Sequence, residues 1–199
     1  MINIIDGCRV PYPERLEEEY EVRNNFIAAN VSAEHIRPMF LDFVKMHSDE
    51  PIFFILEVPT NFNDEPKTED GYIEKRHKDV YYIDGINSAA AEYILKRYGE
   101  MLVHDGMSSF GFGCHESGSE IMLTQYNVVT IFTAYKGIFS DFLEVHGISK
   151  TDKLVTAWDT FNINAPGECR LYTINGKCIY DLIEELKIFG IYFAERRDD

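Results

Sequence analysis

The chain has 199 residues, with 34 Asp and Glu against 19 Lys and Arg and a formal net charge of −15. At 45% hydrophobic residues it is apolar and long enough to bury roughly 70% of its unfolded surface, which excludes a disordered or disulfide-dependent chain. The acidity opposes nucleic-acid phosphates and anionic membranes, and no apolar run approaches the ~20 residues of a membrane span.

Met1 to Asp6 carry neither a basic n-region nor a long apolar stretch, so no signal peptide is expected. The expectation is a cytoplasmic, reducing location, with Cys8, Cys114, Cys169 and Cys178 as thiols. Residues 13 to 25 read as a mostly exposed helix that opens at Pro13 and is dominated by Glu17, Glu18, Glu19 and Glu21. A stronger helix follows Ser32, with Ile36, Met39, Phe40, Phe43 and Val44 at helical spacing and a kink expected at Pro38. Residues 52 to 58 read as a buried strand. The polar segment from about 59 to 79 reads as a flexible, protease-sensitive loop with Tyr72 and Ile73 as its anchors.

A strand over Val80 to Ile83 and a turn at Asp84–Gly85 lead into the clearest helix. It is capped near Asn87 or Ser88, lines up Ala91, Ile94, Leu95, Tyr98 and Leu102, and stops at Gly106. Residues 107 to 134 form a central β region, followed by a helix around Phe139 to Val145 that ends at Gly147. Leu154 to Phe161, with Trp158, reads as a strand. Asn175–Gly176 is a hairpin signal flanked by Cys169 and Cys178, and Asp181 and Glu184 open a short helix that ends at Gly190. Ile191 to Ala194 supplies a last strand.

The class implied is a single α+β domain over 1–199, with a mixed or antiparallel sheet and flanking helices. Sliding the chain by 91 residues superposes Tyr81 on Tyr172, Ile83 on Ile174, Gly85 on Gly176, Leu95 on Leu186 and Gly99 on Gly190. Degenerate duplication of an α-β-β-α unit, with halves at about 30–106 and 135–199, would explain this. Two unrelated units with the same turn and core chemistry would explain it equally.

The run Phe110-Gly111-Phe112-Gly113-Cys114-His115-Glu116 lacks the third glycine of a dinucleotide loop, and no Walker loop, nucleophile elbow or His-Glu-x-x-His helix occurs. Its two glycines share one strand face, which another backbone, a bulky side chain or a ligand must cover. Cys114 and His115 point to opposite faces of a strand, against a nucleophile–base pair. A zinc set of Cys114, His115, Cys169 and Cys178 lacks paired spacing. His104, Asp105, His115 and Glu116 remain as a loose acid–base cluster, provided that residues 106 to 110 turn tightly.

Two functions follow. The first is a non-catalytic, acidic cytoplasmic protein that binds a basic macromolecule, a bacterial toxin-neutralising (immunity) protein being one form, with no cofactor or metal. Its partner-binding candidates are Glu17, Glu18, Glu19, Asp64, Glu65, Glu69 and Asp70, and the dense acidic sources are Glu14 to Glu21, Asp49 with Asp64 to Asp70, and Glu184, Glu185, Glu195, Asp198 and Asp199. The second is a small-molecule enzyme or ligand-binding domain that uses the His104 to Glu116 region.

Overall fold

The computed structural model describes residues 2–199. In chain order the elements are β1 (Cys8–Arg9), β2 (Glu19–Val22), β3 (Phe26–Asn30), α1 (Ala33–Met46), β4 (Ile52–Pro59), β5 (His77–Ile86), α2 (Ser88–His104) and β6 (Ser109–Cys114). They continue with β7 (Ser119–Leu123), β8 (Val128–Phe132), α3 (Lys136–Val145), β9 (Ser149–Lys150), β10 (Glu168–Cys169), α4 (Ile179–Leu186) and β11 (Tyr192–Asp198). Nine strands form one sheet in the order β11-β5-β4-β6-β7-β8-β3-β2-β9, while β1 and β10 pair separately. All neighbours in the large sheet are antiparallel except β2 and β9. The fold is α+β.

The sheet is one-sided. Phe40 and Phe43 of α1, Ile94 and Leu95 of α2, Phe139 and Leu143 of α3, and Leu182 and Leu186 of α4 all join one core with Ile27, Phe54, Phe110, Phe112, Ile121 and Ile131. Strand alternation sends the neighbouring residues to the opposite face, where Phe53, Ile55 and Val80, with Tyr82, form a small cluster built only from strands. Gly111 and Gly113 lie on that second face. A Cβ on Gly113 would stand 2.3 Å from the Phe53 ring, and one on Gly111 would stand 2.6 Å from the Ile121 carbonyl and 3.2 Å from Ile55. Side chains of β4 therefore cover the glycines of β6.

Several segments differ from their sequence expectation. Residues 13 to 25 hold a single 3-10 turn and the β2–β3 hairpin rather than a helix. Glu19 and Glu21 alternate with Tyr20 and Val22, and this period of two wins once Tyr20 is fully buried. α1 runs unbroken through Pro38, which sits on its exposed side, where the carbonyl freed by the missing N–H meets water. Asp84–Gly85 is a bulge inside β5, with Gly85 at φ +68°, and not a chain reversal.

Leu154 to Phe161 is no strand. It is a 3-10 turn, Ala157–Thr160, capped by Thr156 and Asp159, with Trp158 exposed. Asn175–Gly176 makes its turn at φ +52° and +75°, yet it closes a lone Ile174–Lys177 bridge outside the large sheet. In residues 135–199 the order is α3, β9, β10 and α4, matching α1, β4, β5 and α2, but β9 and β10 have two residues each and do not pair with each other as β4 and β5 do.

The loop before β5 is held by Glu65 rather than Tyr72. Glu65 is buried and accepts from the His77 N–H at 3.0 Å and its Nδ1 at 2.6 Å, whereas Tyr72 is 72% exposed. Against burial, which would raise it, these His77 hydrogen bonds hold the Glu65 carboxyl below its ordinary range.

The glycine cover makes a prediction. Gly111→Ala should destabilise the chain by about 1–3 kcal/mol and Gly113→Ala by less, because the Phe53 ring can swing away and the Ile121 carbonyl cannot. Urea unfolding of both variants measures this; equal losses would contradict it.

Candidate functional site

The structure separates the four residues of the acid–base cluster. His104 and Asp105 precede β6 and His115 and Glu116 follow it, so six extended residues, roughly 20 Å, lie between the pairs. His104 Nδ1 accepts the Asp6 N–H at 3.2 Å. His115 is exposed and stacks on Phe53 at 4.8 Å, and Glu116 faces solvent.

Asp105 is almost fully buried. Its Oδ1 accepts the N–H groups of Met107 (3.0 Å) and Ser108 (2.9 Å), and its Oδ2 accepts that of Tyr172 (2.9 Å). Burial pushes its carboxyl above the ordinary range, and these donors oppose the shift. Gly106, expected as a helix stop, serves a close crossing: a Cβ there would lie 2.0 Å from the Gly7 carbonyl oxygen. Asp105 is thus a structural acceptor that joins the end of α2, the start of β6 and the chain at Tyr172.

The partner-binding candidates are scattered. Glu18 accepts the Ser32 N–H and pairs with His35, and Glu19 alternates on β2 with inward Tyr20. Glu17 is an exposed residue just before β2. Asp64, Glu69 and Asp70 are exposed on the loop before β5, but Glu65 is closed to a partner because His77 engages it internally. Six strand steps, ~29 Å, separate β2 from β5. The 64–70 and 184–199 stretches do meet beside the β5–β11 edge, where Arg196 donates to the Asp64 carbonyl (2.6 Å) and pairs with Asp79 (2.6 Å), while Lys75 pairs with Asp198 (3.1 Å) and Lys78 with Asp199 (2.8 Å). Acid and base alternate there.

A second set lies on the helix-free sheet face, where Arg23 pairs with Glu21 (3.1 Å) and Arg197 with Glu195. Glu21, Glu57, Glu120 and Glu195 project from it, with Phe26 and Phe132 in contact at 5.4 Å and Phe132 42% exposed. Arg197 reaches Glu57 at 3.0 Å, and Leu154 N–H donates to Glu21 at 3.1 Å. The Glu120 carboxylate accepts no hydrogen bond among the described residues. Burial first, and then the charge of Glu57, push it above the ordinary range.

Two sulfur sites complete the inventory. Cys8 and Cys169 face each other in the β1–β10 ladder with Sγ atoms 3.5 Å apart. The hydrogen bond from Cys8 draws Cys169 down to about 7, while that same bond and burial push Cys8 up, so Cys169 is the ready thiolate of the pair. Cys178 instead caps α4. At the other end of the sheet, His47, Glu50 and Cys114 bring one ligand atom each within 4.8 Å of one another. Sequence reasoning passed over His47 and Glu50; a His-x-x-Glu spacing just past the end of α1 was the available signal.

The fold and these features define an α+β protein with a one-sided nine-stranded sheet and an acidic, aromatic open face. Compared with family models, curated proteins and solved structures, the chain matches none. Among the described residues no helix is long and apolar enough to cross a membrane.

Asp105→Ala should leave three backbone N–H groups without their acceptor and cost roughly 2–4 kcal/mol. Thermal or urea unfolding checks it, and a loss under ~1 kcal/mol would contradict the structural role.

Proposed function

We propose that this chain is a non-catalytic binding protein that receives a basic protein partner on the helix-free face of its sheet. The specific form is a bacterial, cytoplasmic toxin-neutralising (immunity) protein. The observation that supports the reading is the state of Glu120: a half-buried carboxylate without a hydrogen-bond donor, repelled by Glu57 and attracted by Arg197, with burial dominating. A partner's Lys or Arg would relieve both its desolvation and its repulsion. Phe26 and Phe132 on the same face offer apolar anchors around it.

The alternative small-molecule reading gains no such support, since His104 and Asp105 do not converge with His115 and Glu116, and Phe53 and Ile55 cover Gly111 and Gly113. The groove of about 300 Å³ between α2 and α4 holds Lys177 and Glu185, which pair with each other.

The product of the neighbouring gene, in an inactivated form, is the probe. Its association rate should fall several-fold as salt rises from ~0.01 M to ~0.15 M, because the Debye length shrinks from about 30 Å to about 8 Å. Glu120→Gln should weaken that complex and yet stabilise the free protein at neutral pH. The sign follows from the raised folded-state carboxyl: ionised Glu120 costs stability above that range, and the cost disappears below the ordinary 4.5, where folded and unfolded chains are both protonated. The gain from Glu120→Gln should therefore vanish in acid. Salt-independent association, or unchanged binding by Glu120→Gln, would overturn the reading.

A further inference from the structure

His47 lies just past the last turn of α1, Glu50 on the connection to β4, and Cys114 at the end of β6. His47 and Glu50 are each held by a backbone hydrogen bond that leaves a second ring or carboxylate atom facing the cluster, and the Cys114 thiol lies against Glu50. His47 Nδ1 donates to the Phe43 carbonyl at 2.9 Å, while its ring packs between Phe43 and Phe139. A carbonyl can only accept, so Nδ1 carries a proton and Nε2 is the ring nitrogen that faces Glu50. A backbone carbonyl on the far nitrogen is the usual support of a metal-binding histidine. Glu50 Oε2 accepts the Ser117 N–H at 3.0 Å, and its Oε1 turns toward His47 Nε2 at 3.9 Å, too far for a hydrogen bond. The Ser117 hydroxyl is buried and makes no hydrogen bond. Cys114 is 1% exposed, and burial followed by the Glu50 charge holds its thiol up at about 12.

We propose that His47 Nε2, Glu50 Oε1 and Cys114 Sγ form a binding site for a zinc-class divalent metal, which ties the end of α1 to the β6–β7 hairpin. The donor set suits that class: one imidazole, one carboxylate and one thiolate match a borderline-soft ion, whereas calcium and magnesium take oxygen alone. Zinc–ligand bonds of about 2.0–2.3 Å place tetrahedral donors roughly 3.3–3.6 Å apart, so atoms that lie within 4.8 Å of one another close in by up to about 1.5 Å. Binding releases the Cys114 proton to solvent and forms the metal–sulfur bond. The thiolate and carboxylate then balance the two positive charges of the ion, and this neutrality offsets the cost of burying it. Three protein donors leave a fourth position for water. His47 and Cys114 are nearly fully buried, so the ion would hold the end of α1 to β6 from within the fold.

The test is a titration of the full chain, under reducing conditions, with Co²⁺ and then Zn²⁺. One equivalent of Co²⁺ should give a thiolate-to-cobalt charge-transfer band, Zn²⁺ should abolish it, and the melting temperature should rise with bound Zn²⁺. Cys114→Ser and His47→Gln should lose the band, while the Cys8→Ser/Cys169→Ser double variant should keep it. Should Cys114→Ser fail to fold by circular dichroism, Glu50→Gln decides. It keeps an acceptor for the Ser117 N–H and should bind Co²⁺ at least roughly tenfold more weakly, with the metal-free melting temperature unchanged. Absence of the band in the wild-type chain, its loss in the Cys8/Cys169 variant, or unaltered affinity in Glu50→Gln would overturn the site.

Discussion

The alternation of bulky and absent side chains along β6 is the constraint on which the rest of the architecture depends. Phe110 and Phe112 drive one face of the strand into the helical layer, where they meet Phe40 and Phe54 at 4.9 and 5.1 Å. On the other face Gly111 and Gly113 offer nothing to bury, so no helix is needed there, and Ile55 and Phe53 from β4 lie across the gap. A sheet of nine strands can then stay one-sided. Its helix-free face carries the Phe53, Ile55, Val80 and Tyr82 cluster, and charged residues can stand around it without being trapped under a helix.

A second constraint fixes how the chain enters that sheet. Gly7 and Gly106 pass so closely that neither tolerates a Cβ, and the backbone closes around them: Gly7 N–H donates to His104 O (2.8 Å), Arg170 N–H to Gly7 O (2.8 Å) and Gly106 N–H to Arg170 O (3.1 Å). Three segments far apart in sequence meet here, and Asp105 satisfies the donors that the crossing leaves over. The acid is buried because the crossing needs an acceptor. The same crossing sets Cys8 opposite Cys169, so the proximity of the two thiols is a consequence of backbone packing at two glycines.

What the sequence made legible was whatever local chemistry decides. The α2 cap at Asn87, whose side chain accepts the Ala90 N–H at 2.9 Å, the left-handed glycines 147 and 190 after helices, the alternation of β6 and the class of the fold could all be read directly. Decisions taken by tertiary partners could not. Glu17 to Glu21 look helical until Tyr20 finds the core beside Glu144, and Trp158 looks like a strand residue until Thr156 and Asp159 close a capped turn around it. Glu65 looks solvated until His77 folds over it. The candidate site suffered most, because residues adjacent in sequence, His104 to Glu116, sit at opposite ends of one strand. His47 and Cys114, 67 positions apart by subtraction, end up within reach of each other.

The net charge of −15 is likewise not one property but several. Glu65, Asp105, Asp159 and Asp181 accept backbone N–H groups, so their charges are spent within the fold. At the β5–β11 edge, Asp79, Asp198 and Asp199 are matched by Arg196, Lys75 and Lys78, and the field beyond a Debye length is small. That edge strand is fully exposed, and its alternating charges are what keep its unpaired backbone from recruiting another strand. Acidity able to act outward is therefore found where pairing is incomplete, and on the helix-free face Glu120 is the clearest instance. Ionised Glu120 gains no donor, is repelled by Glu57 and attracted by Arg197, so its charge is less fully compensated than those of the acids that accept backbone N–H groups.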